Sequence, residues 1–325
     1  MVDFSTFLDG SASAKLAAAQ AILDAFKTSG FVYLRNHGIP SETISEVFAK
    51  SAEFFKRPQE QKDGLSWTTP ESNRGYVTYG REKVTQFSDL EKVSKLRASN
   101  PDLKESMEIG REDEPDLPNQ WPDKMDADGE VFTKTMKSFF RTCQDLHVSV
   151  MRAIALGMGL DALFFDSYTN AGDNTLRLLH YPPVLKRVFK DNPDQVRAGE
   201  HSDYGSITLL FQDGVGGLEV RSPRATFVRA KPIEGTVVVN AGDLLSRWAN
   251  DEIKSTHHRV VQPPAREGDE SEKYPARYSI AYFCNPNFEL SIEALPGTWE
   301  NLPEGKKYPA VNSGEYLVQR LAATY

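Results

Sequence analysis

Arg277-Tyr278-Ser279-Ile280-Ala281-Tyr282-Phe283-Cys284 is the last of seven short β-rich runs that follow Asn174. The six runs before it are separated by turn residues and span residues 175–181, 196–201, 207–211, 218–220, 236–240 and 258–261. Several short strands at such spacing are typical of a sandwich or barrel. We therefore expect a mainly β fold of the jelly-roll kind, with flanking helices.

The first half of the chain has a different pattern. Apolar residues at helical spacing predict helices at residues 11–29, at residues 41–55 with Ser41 as the N-cap, and from about 128 to 157. The run Phe31-Val32-Tyr33-Leu34 predicts a strand, and residues 57–127 are interpreted as loops and short helices. We expect one unit over residues 1–325, with an N-terminal region at 1–127 and the long helix plus the jelly-roll core at 128–325.

Composition excludes several classes of function. A formal net charge of -8 over 325 residues argues against nucleic-acid binding, which requires clustered Lys and Arg. Two cysteines, Cys143 and Cys284, provide neither a disulfide framework nor a thiolate zinc site, and are expected to be small core residues. Neither a signal peptide nor a membrane-spanning stretch is recognisable, so we expect a cytoplasmic protein with no evident membrane or protein partner.

His201-Ser202-Asp203 places an imidazole and a carboxylate two residues apart in a predicted strand. Side chains at this spacing share one face, so one metal ion could contact both, and His258 begins a later strand. Two histidines and one carboxylate leave three octahedral positions open, which suits an Fe(II) oxygenase that binds O₂ and a bidentate co-substrate. Zinc hydrolases usually leave one. We predict His201, Asp203 and His258 as the Fe(II) ligands.

The other histidines have simpler interpretations. His257 competes with His258 for the third position, but strand alternation sends it to the opposite face. His37 at a turn, His147 on a helix and His180 on a strand are expected to be hydrogen-bonded structural residues.

Arg277-Tyr278-Ser279 sends a guanidinium and a hydroxyl to one face of its strand. Arginine offers a planar fork of two donors, and serine adds a third donor, so the pair suits a carboxylate. Because an arginine buried without an anion is costly, we expect an anionic ligand here. A structural ion pair at the strand end is the alternative.

Several ordered segments resemble the Fe(II)/2-oxoglutarate-dependent dioxygenases of the isopenicillin-N-synthase-like group. They are Gly30–Leu34 with Asn36–Ile39, Leu178–Pro183, His201–Ser206, Val239–Asp243, His258–Val260 and Arg277–Ser279. Within this group the chain is similar to the fungal thymine 7-hydroxylases. The stretches that carry this similarity are Trp67–Glu71, Asn73–Tyr76, Gly80–Gln86, Gly110–Pro115 and Leu317–Tyr325.

The resemblance implies a double-stranded β-helix core, Fe(II) with 2-oxoglutarate and O₂ as co-substrates, and stepwise oxidation of a methyl group on a pyrimidine. Family positions matching Arg177, Tyr204 and Phe283 line the substrate pocket. There Arg177 would donate to ring carbonyls and Phe283 would stack on the base; packing alone is the alternative for Phe283. Asn240 and Tyr181 are expected to approach 2-oxoglutarate.

Three rival functions fit some of these residues. The same chemistry could act on a methylated aromatic polyketide in fungal secondary metabolism. An oxidase without 2-oxoglutarate could use Arg277 and Ser279 to hold a substrate carboxylate. A non-catalytic metal-binding protein could share the fold, although an intact triad together with an intact anion site disfavours it.

Overall fold

The computed structural model describes residues 1–82, 100–112, 114–265 and 268–324. Parts of the family-like stretches named above lie outside the described residues: residues 83–86, Asp113 and Tyr325.

Helices occupy mainly the N-terminal half and the C-terminus of the described chain. They are α1 (Ser5–Asp9), α2 (Ala12–Ser29), α3 (Ser41–Phe55), α4 (Gln59–Asp63), α5 (Ala127–Gly157), α6 (Asp166–Thr169), α7 (Lys186–Asp191), α8 (Asp243–Trp248) and α9 (Ser313–Thr324). The predicted helices at 11–29, 41–55 and 128–157 are confirmed. Helix α2 ends because Gly30 takes a left-handed φ of 71°, which glycine adopts without steric cost.

Strands make up most of the remaining regular structure. They are β1 (Val2–Asp3), β2 (Phe31–Arg35), β3 (Gly75–Val77), β4 (Glu105–Ile109), β5 (Thr175–Tyr181), β6 (Val184–Leu185), β7 (Ala198–His201), β8 (Ile207–Gln212), β9 (Leu218–Arg221), β10 (Phe227–Arg229), β11 (Thr236–Ala241), β12 (His258–Val260), β13 (Lys273–Tyr274), β14 (Arg277–Cys284), β15 (Ser291–Ile292) and β16 (Val311–Asn312). All seven runs predicted after Asn174 are strands.

Two sheets build the core of the molecule. The larger sheet has the order β1-β2-β11-β8-β14-β5-β4-β3, and the smaller has the order β10-β9-β12-β7. The long helix α5 packs its apolar face on the larger sheet. The ring of Phe139 contacts the ring of Phe211 in an edge-to-face arrangement, and Phe140 contacts Tyr282 in the same way. The mainly β jelly-roll fold with flanking helices is therefore confirmed. The space between the two sheets contains the cavity described below.

Two local predictions of secondary structure were wrong. Ser41 is the first residue of α3 rather than its cap, and Pro40 in the N-cap position provides no side-chain hydrogen bond. The region 57–127 contains the strands β3 and β4, which extend the larger sheet beyond β5. Strand β4 (Glu105-Ser106-Met107-Glu108-Ile109) was missed because two of its five residues are charged, and charged residues are not expected in a buried strand. All five residues are nevertheless buried.

His147 also differs from its prediction. Neither of its ring nitrogens has a hydrogen-bond partner among the described residues, although the side chain is fully buried in α5. Burial lowers the pKa of His147 to about 3, so the ring is neutral and packs as an apolar group.

Among the helices of the described residues, none combines the length and the apolar character that crossing a bilayer requires.

Candidate metal centre and active site

Neighbouring strands of the smaller sheet bring the three predicted metal ligands together. His201 ends β7 and pairs directly with His258, the first residue of β12. Asp203 lies two residues beyond the end of β7, so the turn rather than strand alternation orients its side chain. The Nε2 atoms of His201 and His258 lie 3.9 and 3.7 Å from Oδ1 of Asp203. One donor atom from each residue lies within 4.8 Å of the other two.

Hydrogen bonds outside this triad set the direction of each donor atom. The Nδ1–H groups of His201 and His258 donate to the carbonyl oxygens of Gly199 and Thr256 at 2.7 and 3.3 Å. Because a carbonyl only accepts, both imidazoles are held with Nδ1 protonated and Nε2 available as a ligand.

The second oxygen of Asp203 is held as well. Its Oδ2 accepts hydrogen bonds from Thr208 Oγ1 at 2.6 Å and Asn240 Nδ2 at 2.7 Å. Asn240, predicted to approach the co-substrate, therefore orients the carboxylate of Asp203, and it also lines the cavity described below. Its contact with the co-substrate stays a prediction.

Charge in the triad favours a bound cation. Burial and the neighbouring His258 lower the pKa of His201 to about 3, so the ring is neutral at pH 7. Burial raises the pKa of Asp203, but the two imidazoles and its hydrogen bonds outweigh burial and lower it. Two imidazole nitrogens and one carboxylate form the set that non-haem Fe(II) oxygenases use. By contrast, Nδ1 of His257 lies 3.1 Å from Glu200, outside the triad.

A cavity between the two sheets joins the triad to Arg277 and Ser279; we call it the inter-sheet cavity. Its lining includes His201, Asp203, His258, Asn240, Tyr181, Arg277, Ser279, Lys104, Arg177 and Phe283. Apolar residues from both sheets complete the wall, including Leu179, Leu210, Leu218 and Val260. A polar ligand in this cavity would therefore be excluded from bulk water except near its charged contacts.

Arg277 has the environment of an anion-binding residue. The side chain is 1% exposed, Nη1 donates to Ser279 Oγ at 3.1 Å, and Nη2 donates to Gln212 Oε1 at 3.3 Å. Its guanidinium lies over the ring of Tyr181, 4.8 Å from the centroid. Within the described residues no carboxylate contacts Arg277, and its Nε has no hydrogen-bond partner. A carboxylate of a ligand is the partner this geometry fits.

A second buried arginine was missed by sequence reasoning. Arg197 is 0% exposed, donates from Nη2 to the Pro275 carbonyl at 3.1 Å, and has no partner for Nε or Nη1 in the described part of the chain. Burial and the nearby charge of Arg277 lower the pKa of Arg197 to about 10. The signal was present, because Arg197 stands in a run that predicted a strand.

Arg177 belongs to a buried group of four charged residues, which we call the four-charge cluster. Its Nε donates to a carboxylate oxygen of Glu108 at 2.7 Å, and Nη1 lies 3.3 Å from Glu82 Oε1. Glu82 also forms a buried ion pair with Lys104. The cluster thus contains two cations and two anions, and the sequence identified only Arg177.

The pKa values of the two carboxyl groups in this cluster shift in opposite directions. Burial raises the pKa of Glu82, but Lys104 and Arg177 outweigh burial and lower it to about 2. Burial raises the pKa of Glu108, and Arg177 only partly offsets this. Glu82 touches two cations and Glu108 touches one, which accounts for the opposite directions. Glu82, Lys104 and Glu108 could not be assigned from sequence, since they come from the region of weak periodicity.

A second cavity, the side cavity, lies next to the triad. Its wall contains the predicted substrate residues Arg177, Tyr204 and Phe283 with Glu82, Asn73, Thr175, Ser202, Gly205, Asn285, Leu317 and Leu321, and it reaches His201 and Asp203. Arg177 lies over the ring of Phe283 at 5.0 Å, and Arg320 of α9 lies over the ring of Tyr204 at 4.6 Å. A compound in this cavity would thus meet charged, aromatic and apolar groups beside the triad.

Two family models match the chain. The model of the N-terminal region of non-haem dioxygenases in morphine synthesis matches residues 1–124, and the model of the 2OG-Fe(II) oxygenase superfamily matches residues 172–286. The second match contains His201, Asp203, His258, Arg277 and Ser279.

Similar proteins include solved structures and curated fungal enzymes. The thymine 7-hydroxylase of Neurospora crassa, solved with alpha-KG and thymine, is 60% identical with a TM-score of 0.91, over 100% of this chain and 96% of that one. The 2-oxoglutarate-Fe(II) type oxidoreductase ppzD of Metarhizium rileyi is 37% identical over 100% of this chain and 90% of the relative. Proline hydroxylase buaE of Petromyces alliaceus is 34% identical over 100% of this chain and 98% of the relative. The chain therefore belongs to the 2OG-Fe(II) oxygenase superfamily and is a 2-oxoglutarate-dependent dioxygenase that uses Fe(II).

Proposed function

We propose that this dioxygenase hydroxylates the methyl group of thymine, giving 5-hydroxymethyluracil and then more oxidised products. The side cavity carries the proposal, because it places Arg177 and Glu82 beside the triad. A pyrimidine has both carbonyl acceptors and N–H donors at its edge, and such a wall can satisfy both. The 60% identity to the Neurospora crassa enzyme, which was solved with thymine, supports the same substrate.

His201, Asp203 and His258 would hold Fe(II) on this proposal. The distal carboxylate of 2-oxoglutarate would bind Arg277 and Ser279, with Tyr181 packing under the guanidinium and Asn240 near the metal end. The keto-acid end would then reach the triad across the inter-sheet cavity, whose apolar wall excludes water. 2-Oxoglutarate would thus supply the carboxylate contact that Arg277 lacks among the described residues.

The substrate would bind in the side cavity against Arg177, Tyr204 and Phe283. Arg177 would donate to a ring carbonyl, because Glu82 and Glu108 hold its guanidinium in one orientation. The ring of Phe283, which lines the side cavity, would stack on the flat base, and Tyr204 would close the cavity near His201 and Asp203.

Iron with 2-oxoglutarate and O₂ supplies the oxidation, releasing succinate and CO₂ for each hydroxyl group introduced. The protein binds and orients both organic molecules and keeps bulk water from the reacting methyl group. It also keeps His201 neutral through burial, so that the ring remains a ligand over the physiological pH range.

Replacing a triad histidine tests the metal site, with a neighbouring histidine as the matched control. His201→Ala should lose bound iron and thymine turnover together, whereas His257→Ala, whose ring contacts Glu200, should retain both. Iron content and succinate formation are the measurements. Substantial succinate formation by His201→Ala would contradict the ligand assignment.

Substrate identity needs a separate experiment. We would titrate the anaerobic Fe(II) protein with 2-oxoglutarate and then with thymine, and follow the weak visible charge-transfer band. Thymine should shift the band and should support 2-oxoglutarate consumption in air. An unchanged band and no product from thymine would contradict the proposed substrate.

A methylated aromatic polyketide is the second candidate substrate. Curated relatives at 31–37% identity are fungal 2-oxoglutarate-dependent enzymes with varied names, including a proline hydroxylase, so the fold accommodates other substrates. An aromatic polyketide lacks ring N–H donors, and the charged wall of the side cavity would then be less well matched. Parallel assays of thymine and methylated aromatics, read as 2-oxoglutarate consumption, decide between them.

We also propose that the whole chain forms one unit, works in the cytoplasm and requires no protein partner. Strands β1 and β2 from the N-terminal region share a sheet with β8, β11 and β14, which supports the single unit. The two buried free cysteines are consistent with a reducing compartment.

A further inference from the structure

Arg197 has no part in the function proposed above, although it is buried as deeply as Arg277. These two are the most deeply buried arginines of the described residues, with exposed fractions of 0% and 1%. Nη2 of Arg197 donates to the carbonyl oxygen of Pro275 at 3.1 Å, and Pro275 lies two residues before Arg277. Both guanidinium groups therefore lie near the start of β14, at the end of the inter-sheet cavity that Arg277 and Ser279 line.

The fold supplies little negative charge to neutralise these two arginines. Within residues 1–82, 100–112, 114–265 and 268–324, neither guanidinium group contacts a carboxylate, and three of their nitrogen atoms have no hydrogen-bond partner. Asp213 is near enough to attract Arg197, but its carboxylate accepts hydrogen bonds from the backbone N–H groups of Tyr278 and Val215 at 2.6 and 2.9 Å. Burial and repulsion from Arg277 lower the pKa of Arg197 only to about 10, so the group is charged at neutral pH.

2-Oxoglutarate would neutralise only part of this charge. Its distal carboxylate brings one negative charge to an end of the cavity that has two buried cations beside it. One positive charge then stays uncompensated, and a buried charge without a partner is costly. A ligand whose tail carries two negative charges would remove that cost, whereas an uncharged tail would leave both cations unbalanced.

We propose that Arg197 makes the distal end of the co-substrate site selective for charge, so that it takes 2-oxo acids with a dianionic tail in place of 2-oxoglutarate. Phosphorylated 2-oxo acids of the same length are the chemical class that fits, and they would compete with 2-oxoglutarate. The inference rests on the placement of 2-oxoglutarate in the proposed function and does not depend on thymine as the substrate.

The two arginines would contribute in different ways. Arg277 donates to Ser279 and lines the cavity, so it offers a carboxylate directed hydrogen bonds as well as charge. Arg197 does not line the inter-sheet cavity and acts on the tail through space. Because Coulomb energy is proportional to the charge of the ligand, the contribution of Arg197 should double from a monoanionic to a dianionic tail.

Three 2-oxo acids of equal length provide the test. They are 5-methyl-2-oxohexanoate, 2-oxoglutarate and 3-phosphohydroxypyruvate, whose tails are neutral, monoanionic and dianionic at about pH 8, since the second pKa of a phosphate ester is about 6. Anaerobic titration of the Fe(II) protein gives each Kd from the charge-transfer band of the bound 2-oxo acid. Stabilisation of the metal-free protein against urea by each ligand is a second readout that does not depend on iron.

Arg197→Met should raise the Kd in proportion to the charge of the tail. We expect a rise of about 5-fold for 2-oxoglutarate, about 25-fold for 3-phosphohydroxypyruvate and almost none for the neutral tail. Arg197→Lys keeps the charge and should keep the order of affinities of the unaltered protein. The matched control is Arg229→Met, which removes a half-exposed arginine and should change none of the three values.

Equal rises for the monoanionic and the dianionic ligand in Arg197→Met would overturn the inference, because an effect of charge must grow with the charge of the ligand. The unaltered protein gives an outcome that requires no variant to fold. Its Kd for 3-phosphohydroxypyruvate should be at or below that for 2-oxoglutarate, and a higher Kd overturns the inference. Unchanged binding of 2-oxoglutarate in Arg277→Met would instead contradict the placement of the co-substrate in the proposed function.

Discussion

Two groups of buried charges lie beside the same cavity and differ in their balance. The four-charge cluster contains Arg177, Lys104, Glu82 and Glu108, so each cation has a carboxylate partner. Arg197 and Arg277, which we call the arginine pair, have no carboxylate contact within the described ranges of the chain, and three of their nitrogen atoms lack a hydrogen-bond partner there.

This difference predicts which charges stabilise the folded protein and which contribute to ligand binding. Removing one member of a balanced buried cluster leaves an uncompensated charge and destabilises the protein. Removing a member of the arginine pair takes away a charge that the fold does not neutralise. The first group should therefore respond in folding stability, and the second in affinity for 2-oxoglutarate.

Glu82→Gln should have the largest effect on folding. Lys104 and Arg177 would keep their charges with one carboxylate fewer, and breaking a buried ion pair in this way costs about 3–5 kcal/mol. Urea unfolding at pH 7 measures the loss. The control is Glu252→Gln, which removes the exposed pair with Lys27 and should change the free energy of unfolding by less than about 1 kcal/mol. Equal losses would remove the distinction between the cluster and a surface pair.

Arg277→Met should act on ligand binding instead. Removing the partner of a buried carboxylate costs about 2–5 kcal/mol of binding free energy, so the Kd for 2-oxoglutarate should rise about 30-fold or more. The free energy of unfolding without ligand should stay within about 1 kcal/mol of the unaltered protein or increase. Anaerobic titration and urea unfolding give the two numbers. A destabilisation as large as that of Glu82→Gln would show that Arg277 serves the fold.

Acid should reduce the contribution of Glu82 in a defined window. The pKa of Glu82 is lowered from 4.5 to about 2 in the folded protein. Its stabilising contribution is therefore complete above pH 4.5 and is lost as the pH falls towards 2, by about 3 kcal/mol in total. The difference in unfolding free energy between the unaltered protein and Glu82→Gln should narrow between about pH 5 and about pH 3. A constant difference over that range would contradict the ionised state of Glu82.

Arg197→Met should have the smallest effect. Arg197 adds positive charge near Arg277 without lining the inter-sheet cavity, so its influence on 2-oxoglutarate is through space and amounts to about 1 kcal/mol. The Kd should rise several-fold, and Arg229→Met, which alters a half-exposed side chain, should leave it unchanged. An unchanged Kd in Arg197→Met would show that only Arg277 of the arginine pair affects the binding of 2-oxoglutarate.

Much of the candidate metal and co-substrate site, as a group of neighbouring side chains, could be predicted because its residues are close in sequence. His201 and Asp203 are two residues apart, as are Arg277 and Ser279, and the period of two along a strand places each pair on one face. One detail differed: β7 ends at His201, and the turn that follows orients Asp203. The pair with His258 depends on the register between β7 and β12, which the family resemblance supported and local pattern alone did not.

The four-charge cluster was largely unpredictable because its members lie far apart in the sequence. Glu82, Lys104 and Glu108 lie where charged residues and weak periodicity predicted loops, and only β4 pairing with β5 brings Glu108 opposite Arg177. A charged residue in a sequence is normally expected on the surface, because burial is costly until its partners are known.

The sequence by itself predicted the strand-rich core, a set of two histidines and one carboxylate that could hold a metal ion, and an arginine suited to an anion, since each follows from residue identity and short-range spacing. Only the tertiary structure decided which charges neutralise one another and which buried cations have no carboxylate contact among the described residues. Those outcomes depend on contacts between distant segments, because buried electrostatic and hydrogen-bond energies are set by the neighbours that folding brings together.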